Sequence, residues 1–80
     1  MDRLDHLLAR ATYFSGKTAA PESRFYADLG INGWDFIEFC EDVERTFRID
    51  LRPFFEDGTG DFRDATVAEL TAYVARQDSN

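Results

Sequence analysis

Cys40 and His6 are the single cysteine and the single histidine of this 80-residue chain, so any thiol nucleophile with an imidazole base would have to use both. Such a dyad also needs a third group to orient the imidazole. Apolar periodicity puts Cys40 on the core stripe of one helix and His6 on another helix, so Cys40 reads as a small core residue. Asp57, Thr59 and Asp61 have the alternate spacing of a calcium loop. However, Phe62 stands where the loop's sharp turn needs glycine, and Ala68 stands where a bidentate glutamate should close the site. No glycine-rich phosphate loop, Ser-His-Asp set or pair of catalytic carboxylates can be assembled from the other residues. The sequence therefore assigns no catalytic residue, no metal ligand and no cofactor. What remains to be read is Trp34 and the acids beside it, Asp35, Glu38, Glu41 and Asp42.

These residues need a helix to position them, and the stretch from Asp28 to Phe47 supplies it. Asn32 can cap the helix by accepting a free backbone N–H in its first turn. Asp35, three residues on, has nearly capping-box spacing and suits the positive end of the helix dipole. Phe36, Phe39, Cys40, Val43 and Phe47 then recur on one face of a 3.6-residue period, with the acidic residues on another. Glu41 with Arg45 and Glu44 with Arg48 are i, i+4 pairs in the favourable orientation, worth about 0.2–0.5 kcal/mol each.

On either side the pattern is simpler. Leu4, Leu7, Leu8 and Ala11 predict a first helix capped by Asp2 and stopped at Ser15-Gly16. Lys17 to Ser23 is a polar connection, after which Phe25 and Leu29 are apolar anchors that pull the chain onto the core. Pro53 biases Arg52 away from helical angles, so the central helix is over by then. Ile49, Leu51, Phe54 and Phe55 cover one end of the bundle, with room for a short helical turn. Glu56 to Asp61 is the most loop-like and most mobile segment, followed by a turn near Phe62 to Ala65. Thr66 and Glu69 form a capping box for a last helix with Val67, Leu70, Tyr73 and Val74 inward, fraying from Arg76. The fold class is all-α, a single domain over residues 1–80 built as a small three-to-four-helix bundle.

Asp28-Leu29-Gly30, two residues, a small residue, a large apolar one and Asp35, followed by an acidic helix ending in Phe47, resembles the acyl carrier protein family. There the pattern reads Asp-Leu-Gly-x-Asp-Ser-Leu-Asp, and its serine carries the phosphopantetheine arm. Here Asn32 replaces the aspartate, Gly33 the serine and Trp34 the leucine. The resemblance covers nearly the whole chain and implies an acyl-carrier-like bundle. Glycine has no hydroxyl for the arm, and Ser15, Ser23 and Ser79 lie away from this helix start, so the expected form is a carrier without its attachment point.

The resemblance further implies that Trp34 occupies a partly exposed contact position for partner enzymes, and that Asp35, Glu38 and Glu44 match acids of the family's recognition face. Glu41 and Asp42 extend that face, while Arg45 departs from it. On the residues alone, Trp34 either stands out as a contact or folds back over Ile37, and the acids are either a recognition face or a solvated one. The expected partner is a protein with a basic patch, of the fatty-acid or polyketide biosynthetic kind, docked to a monomer.

Composition bounds these expectations. Sixteen acidic against nine basic residues give a net charge of −7, which disfavours nucleic acid and anionic membranes as partners. Eight Phe, three Tyr and one Trp enlarge the core that so short a chain can bury. One cysteine allows no internal disulfide, and the amino-terminal stretch lacks a basic run and long apolar core. No stretch approaches the ~20 apolar residues of a membrane span. A cytoplasmic protein is expected. A further possibility is a non-covalent carrier that holds an acyl chain or small hydrophobic ligand among the Phe rings of the helical core.

Overall fold

Local caps set where the helices begin and end. Asp2 precedes α1 (Arg3–Ser15), and its carboxylate accepts the Asp5 N–H at 2.9 Å. Gly16 closes α1 at φ 72, the left-handed cap that glycine adopts without strain, and donates its N–H to the Thr12 carbonyl. Next come α2 (Gly33–Phe47), the single turn α3 (Arg52–Phe55) and α4 (Val67–Asp78). This computed structural model describes residues 2–56 and 63–78. The calcium-like spacing at Asp57, Thr59 and Asp61, and most of the segment expected to be mobile, lie outside them. Among the described residues the chain is an all-α bundle, and an isolated bridge joins Arg24 and Thr66.

Both ends of the last connection follow capping chemistry. The Thr66 N–H donates to Glu69 Oε1 and the Glu69 N–H to Thr66 Oγ1, each at 3.1 Å, completing the expected capping box. That Thr66 N–H holds the Glu69 carboxyl below its ordinary 4.5. α4 continues to Asp78, past the point where fraying was expected. In α3, Arg52 is helical although it precedes proline. Pro53 falls at the start of the turn, where no N–H is needed, and the Asp50 carboxylate holds the Arg52 N–H and guanidinium.

α2 stops differently from the expected ion pairs. Arg48 caps it in the left-handed region at φ 57, and the Arg48 and Ile49 N–H groups both donate to the Glu44 carbonyl. The Glu44 carboxylate accepts the Leu51 N–H at 2.9 Å, seven residues on, rather than serving Arg48. Arg45 lies 3.8 Å from Asp42, one turn back, rather than on Glu41.

α1 packs against both α2 and α4. Leu7, Ala11, Phe39, Val43, Val67, Leu70 and Val74 are fully buried where these helices meet, as their periodicity requires. Aromatic rings tie in the rest. Phe14 of α1 meets Phe39 of α2 edge-on at 5.9 Å, and Phe39 meets Phe25 of the first loop at 5.2 Å. Phe25 meets Phe55 of α3 at 5.9 Å, Phe55 meets Phe54 at 4.8 Å, and Phe54 meets Tyr73 of α4 at 5.1 Å. The Tyr73 hydroxyl donates to the Asp50 carbonyl at 2.8 Å, satisfying the one polar atom of this series.

The first loop is not free chain. The Phe25 N–H donates to the Ala65 carbonyl, the Val67 N–H to Ser23 and the Ala68 N–H to Pro21, at 2.8–3.1 Å. Loop carbonyls thus accept N–H groups that the first turn of α4 cannot satisfy itself. Phe25→Ala should remove the ring shared by the loop, α2 and α3 and destabilise the fold by about 3–5 kcal/mol. Chemical denaturation of the variant beside the parent chain checks this; a loss under about 1 kcal/mol would show that the ring is not central.

Candidate functional site

The start of α2 is held from behind and open in front. Ile31 is buried and donates its N–H to the Phe25 carbonyl at 2.9 Å, fixing the last turn before the helix. Asn32 occupies the N-cap position with extended backbone (φ −151, ψ 174), but its side chain makes no cap hydrogen bond, contrary to expectation. The next residue explains the difference. Gly33 begins the helix at φ 57, so the first turn departs from the regular geometry that the cap bond requires. A Cβ at Gly33 would meet no atom within 4 Å, yet the left-handed backbone would strain any side chain by about 1–2 kcal/mol.

At the next residue the alternatives for Trp34 are resolved: it is 78% exposed and does not cover Ile37, which is itself 44% exposed. Trp34, Ile37, Glu38 and Glu41 are spaced i, i+3, i+4, i+7 and share one outward stripe of α2. Asp35, Glu38 and Glu41 are all exposed. Asp42 is set apart from them. Its half-buried carboxylate accepts from Arg10 Nε of α1 at 2.9 Å, and the Arg10 guanidinium lies over the Tyr13 and Phe14 rings at 4.9 and 5.3 Å. Asp42 thus clamps α1 to α2 rather than facing a partner.

Beside the outward stripe lies a cavity of about 540 Å³, lined by Phe25, Tyr26, Ile31, Asn32, Gly33, Phe36, Ile37, Arg63 and Asp64. Its volume is in the range of small-molecule sites. No pattern in the sequence marks it, because Arg63 and Asp64 come from a connection remote in the chain. Asp64 is positioned by the loop itself: its carboxylate accepts the Tyr26 and Ala27 N–H groups at 2.8 and 3.0 Å. Arg63 stacks over Phe54 at 4.7 Å and pairs with Glu69. A smaller cavity of about 170 Å³ lies on the far side of Phe36 and Ile37, reaching Cys40, Leu51 and Phe55. The contact face expected from sequence does not include Ile37, although its i+3 spacing from Trp34 is the signal for this shared face.

Cys40 sits in that second cavity's wall, and burial, with Glu44 and Glu41 nearby, pushes its thiol up to about 12. His6 instead packs its ring edge-on to Phe47 at 5.4 Å, with Nε2 buried and unpartnered. No hydrogen bond joins the two. Among the described residues no cluster of three metal-ligating side chains forms, and no helix is long and apolar enough to cross a membrane. No known protein family, curated protein or solved structure matches the chain.

The raised thiol has a definite pH signature. The unfolded thiol ionises near 9.0 and the folded one only near 12, so folding loses stability as pH rises through that interval. Alkylation near pH 9.0 should be much slower in the folded chain than after denaturation. Equal rates, followed by mass spectrometry, would show an open and reactive thiol.

Proposed function

We propose that this chain is a non-catalytic docking module of acyl-carrier-like form, lacking a phosphopantetheine arm. It meets a basic patch on a partner protein through Trp34, Ile37, Glu38 and Glu41, with Asp35 at the edge. The partner class is a biosynthetic enzyme of the fatty-acid or polyketide kind. The exposure of Trp34 on a helix whose core is complete without it carries this reading. Tryptophan is enriched among residues that supply binding energy at interfaces, and acids around it suit electrostatic steering. The Asp-Leu-Gly turn and the acidic central helix support the likeness to carriers, and Gly33 in place of serine is why the module is read as armless.

The cavity favours a second reading, a non-covalent carrier of an acyl chain or small hydrophobic ligand. The Phe rings of the core are packed against one another, so the cargo would lie beside Phe36 and Ile37 rather than within the core.

A Trp34→Ala, Glu38→Lys variant should keep the parent's fold and lose captured partner. Removal of a central tryptophan weakens binding by about 2 kcal/mol or more, roughly thirtyfold in Kd. Added salt should weaken the parent's binding as well. Retention of the same partner by both proteins would move the interface away from α2. For the second reading, fatty acyl ligands should raise the melting temperature, and the rise should grow with the logarithm of ligand concentration above Kd. An unchanged melting temperature at saturating ligand would remove it.

A further inference from the structure

Asn32-Gly33 combines features that leave an asparagine chemically unprotected. Asn32 is exposed, and its amide makes no hydrogen bond at the head of α2. The Gly33 N–H begins the helix, where no intrahelical acceptor exists, and it has no other hydrogen-bond partner among the described residues. Gly33 carries no side chain to shield that nitrogen, and the space where a Cβ would stand is empty to 4 Å. Its φ of 57 also shows backbone freedom that other residues lack.

We infer that Asn32 is a site of spontaneous deamidation in the folded protein. The Gly33 amide nitrogen attacks the Asn32 side-chain carbonyl carbon after rotation about the Asn32 Cα–C bond away from ψ 174, which releases the 3.3 Å hydrogen bond from the Phe36 N–H to the Asn32 carbonyl. A C–N bond forms, the bond from that carbon to Nδ2 breaks, and ammonia leaves carrying the proton lost by the Gly33 nitrogen. The cyclic imide then takes up one water molecule, which opens it at either carbonyl to aspartate or isoaspartate. No oxidant, metal or enzyme is required. Either product adds one negative charge to a chain already at −7, at the positive end of the α2 dipole. Isoaspartate also lengthens the backbone by one methylene immediately before Gly33 and Trp34. The chemistry stands whether or not α2 docks a partner.

The test incubates the full chain, folded and in denaturant, in mildly alkaline buffer at physiological temperature. Peptide mass mapping follows exchange of NH2 for OH at residue 32, and an isoaspartyl methyltransferase labels the rearranged product. Mapping is needed because Asp57-Gly58 can isomerise without any mass change. Conversion of Asn32 in the folded chain at a rate within a few-fold of the denatured chain, faster at higher pH, supports the inference. Gly33→Ala, denatured to remove any effect of folding, should slow conversion several-fold, because a methyl group beside the residue 33 nitrogen hinders its attack; an unchanged rate would argue against ring closure through that nitrogen. An Asn32 peptide unchanged in the folded chain while the denatured chain converts fully would overturn the proposal.

Discussion

Burial of Phe25 is the contact on which the other elements depend. Its ring touches Phe39 of α2 and Phe55 of α3, its N–H is taken by Ala65, and its carbonyl accepts the Ile31 N–H. One residue of the first loop therefore sets the start of α2, the seat of α3 and the approach to α4. In a chain this short, helices alone would be marginal, since most helical stability comes from packing an amphipathic face. Rings reach across gaps that aliphatic side chains of a small bundle would leave open. The run of edge-on and tilted contacts from Phe14 to Tyr73 is how four short elements come to share one core.

Such a core is possible only because the loop's backbone is satisfied. A segment crossing buried side chains must find partners for each N–H and carbonyl. Here the partners come from opposite sides: Ala19 and Ala20 N–H groups go to the Thr12 and Ser23 hydroxyls, and Tyr26 and Ala27 to the Asp64 carboxylate. The Pro21 and Ser23 carbonyls in turn accept from α4. Loop and helix start stabilise each other, which explains why a connection without regular structure can bury Phe25, Leu29 and Ile31.

The local signals in the sequence translate directly into structure. Asp2, Gly16 and the Thr66–Glu69 box act where short-range chemistry places them, and α2 has the span its apolar period marks. What the sequence could not supply depends on contacts between distant segments. Asp64 holds Tyr26 and Ala27 thirty-eight and thirty-seven residues away, and no periodicity encodes that. Asp42 looks like its acidic neighbours in sequence, but α1 places Arg10 against it and removes it from the outer face. Asn32 has the right residue type for a cap, yet the left-handed Gly33 after it changes the geometry of the first turn.

The two sides of α2 consequently answer to different constraints. Phe36, Phe39, Val43 and Phe47 face neighbours, so their sizes are fixed by close packing. Trp34, Ile37, Glu38 and Glu41 meet no such limit, and folding neither requires a tryptophan there nor gains from its burial. An exposed tryptophan with an exposed isoleucine one turn away is apolar area that a bundle of this size could have covered with polar residues. Asp42, drawn inward to Arg10, joins the two sides by fixing how α1 lies along α2. The outward stripe can therefore change without disturbing the core, while its orientation stays set by the helix that the core holds rigid. The recognition face proposed for this chain would need both properties, and they meet at the first three turns of α2.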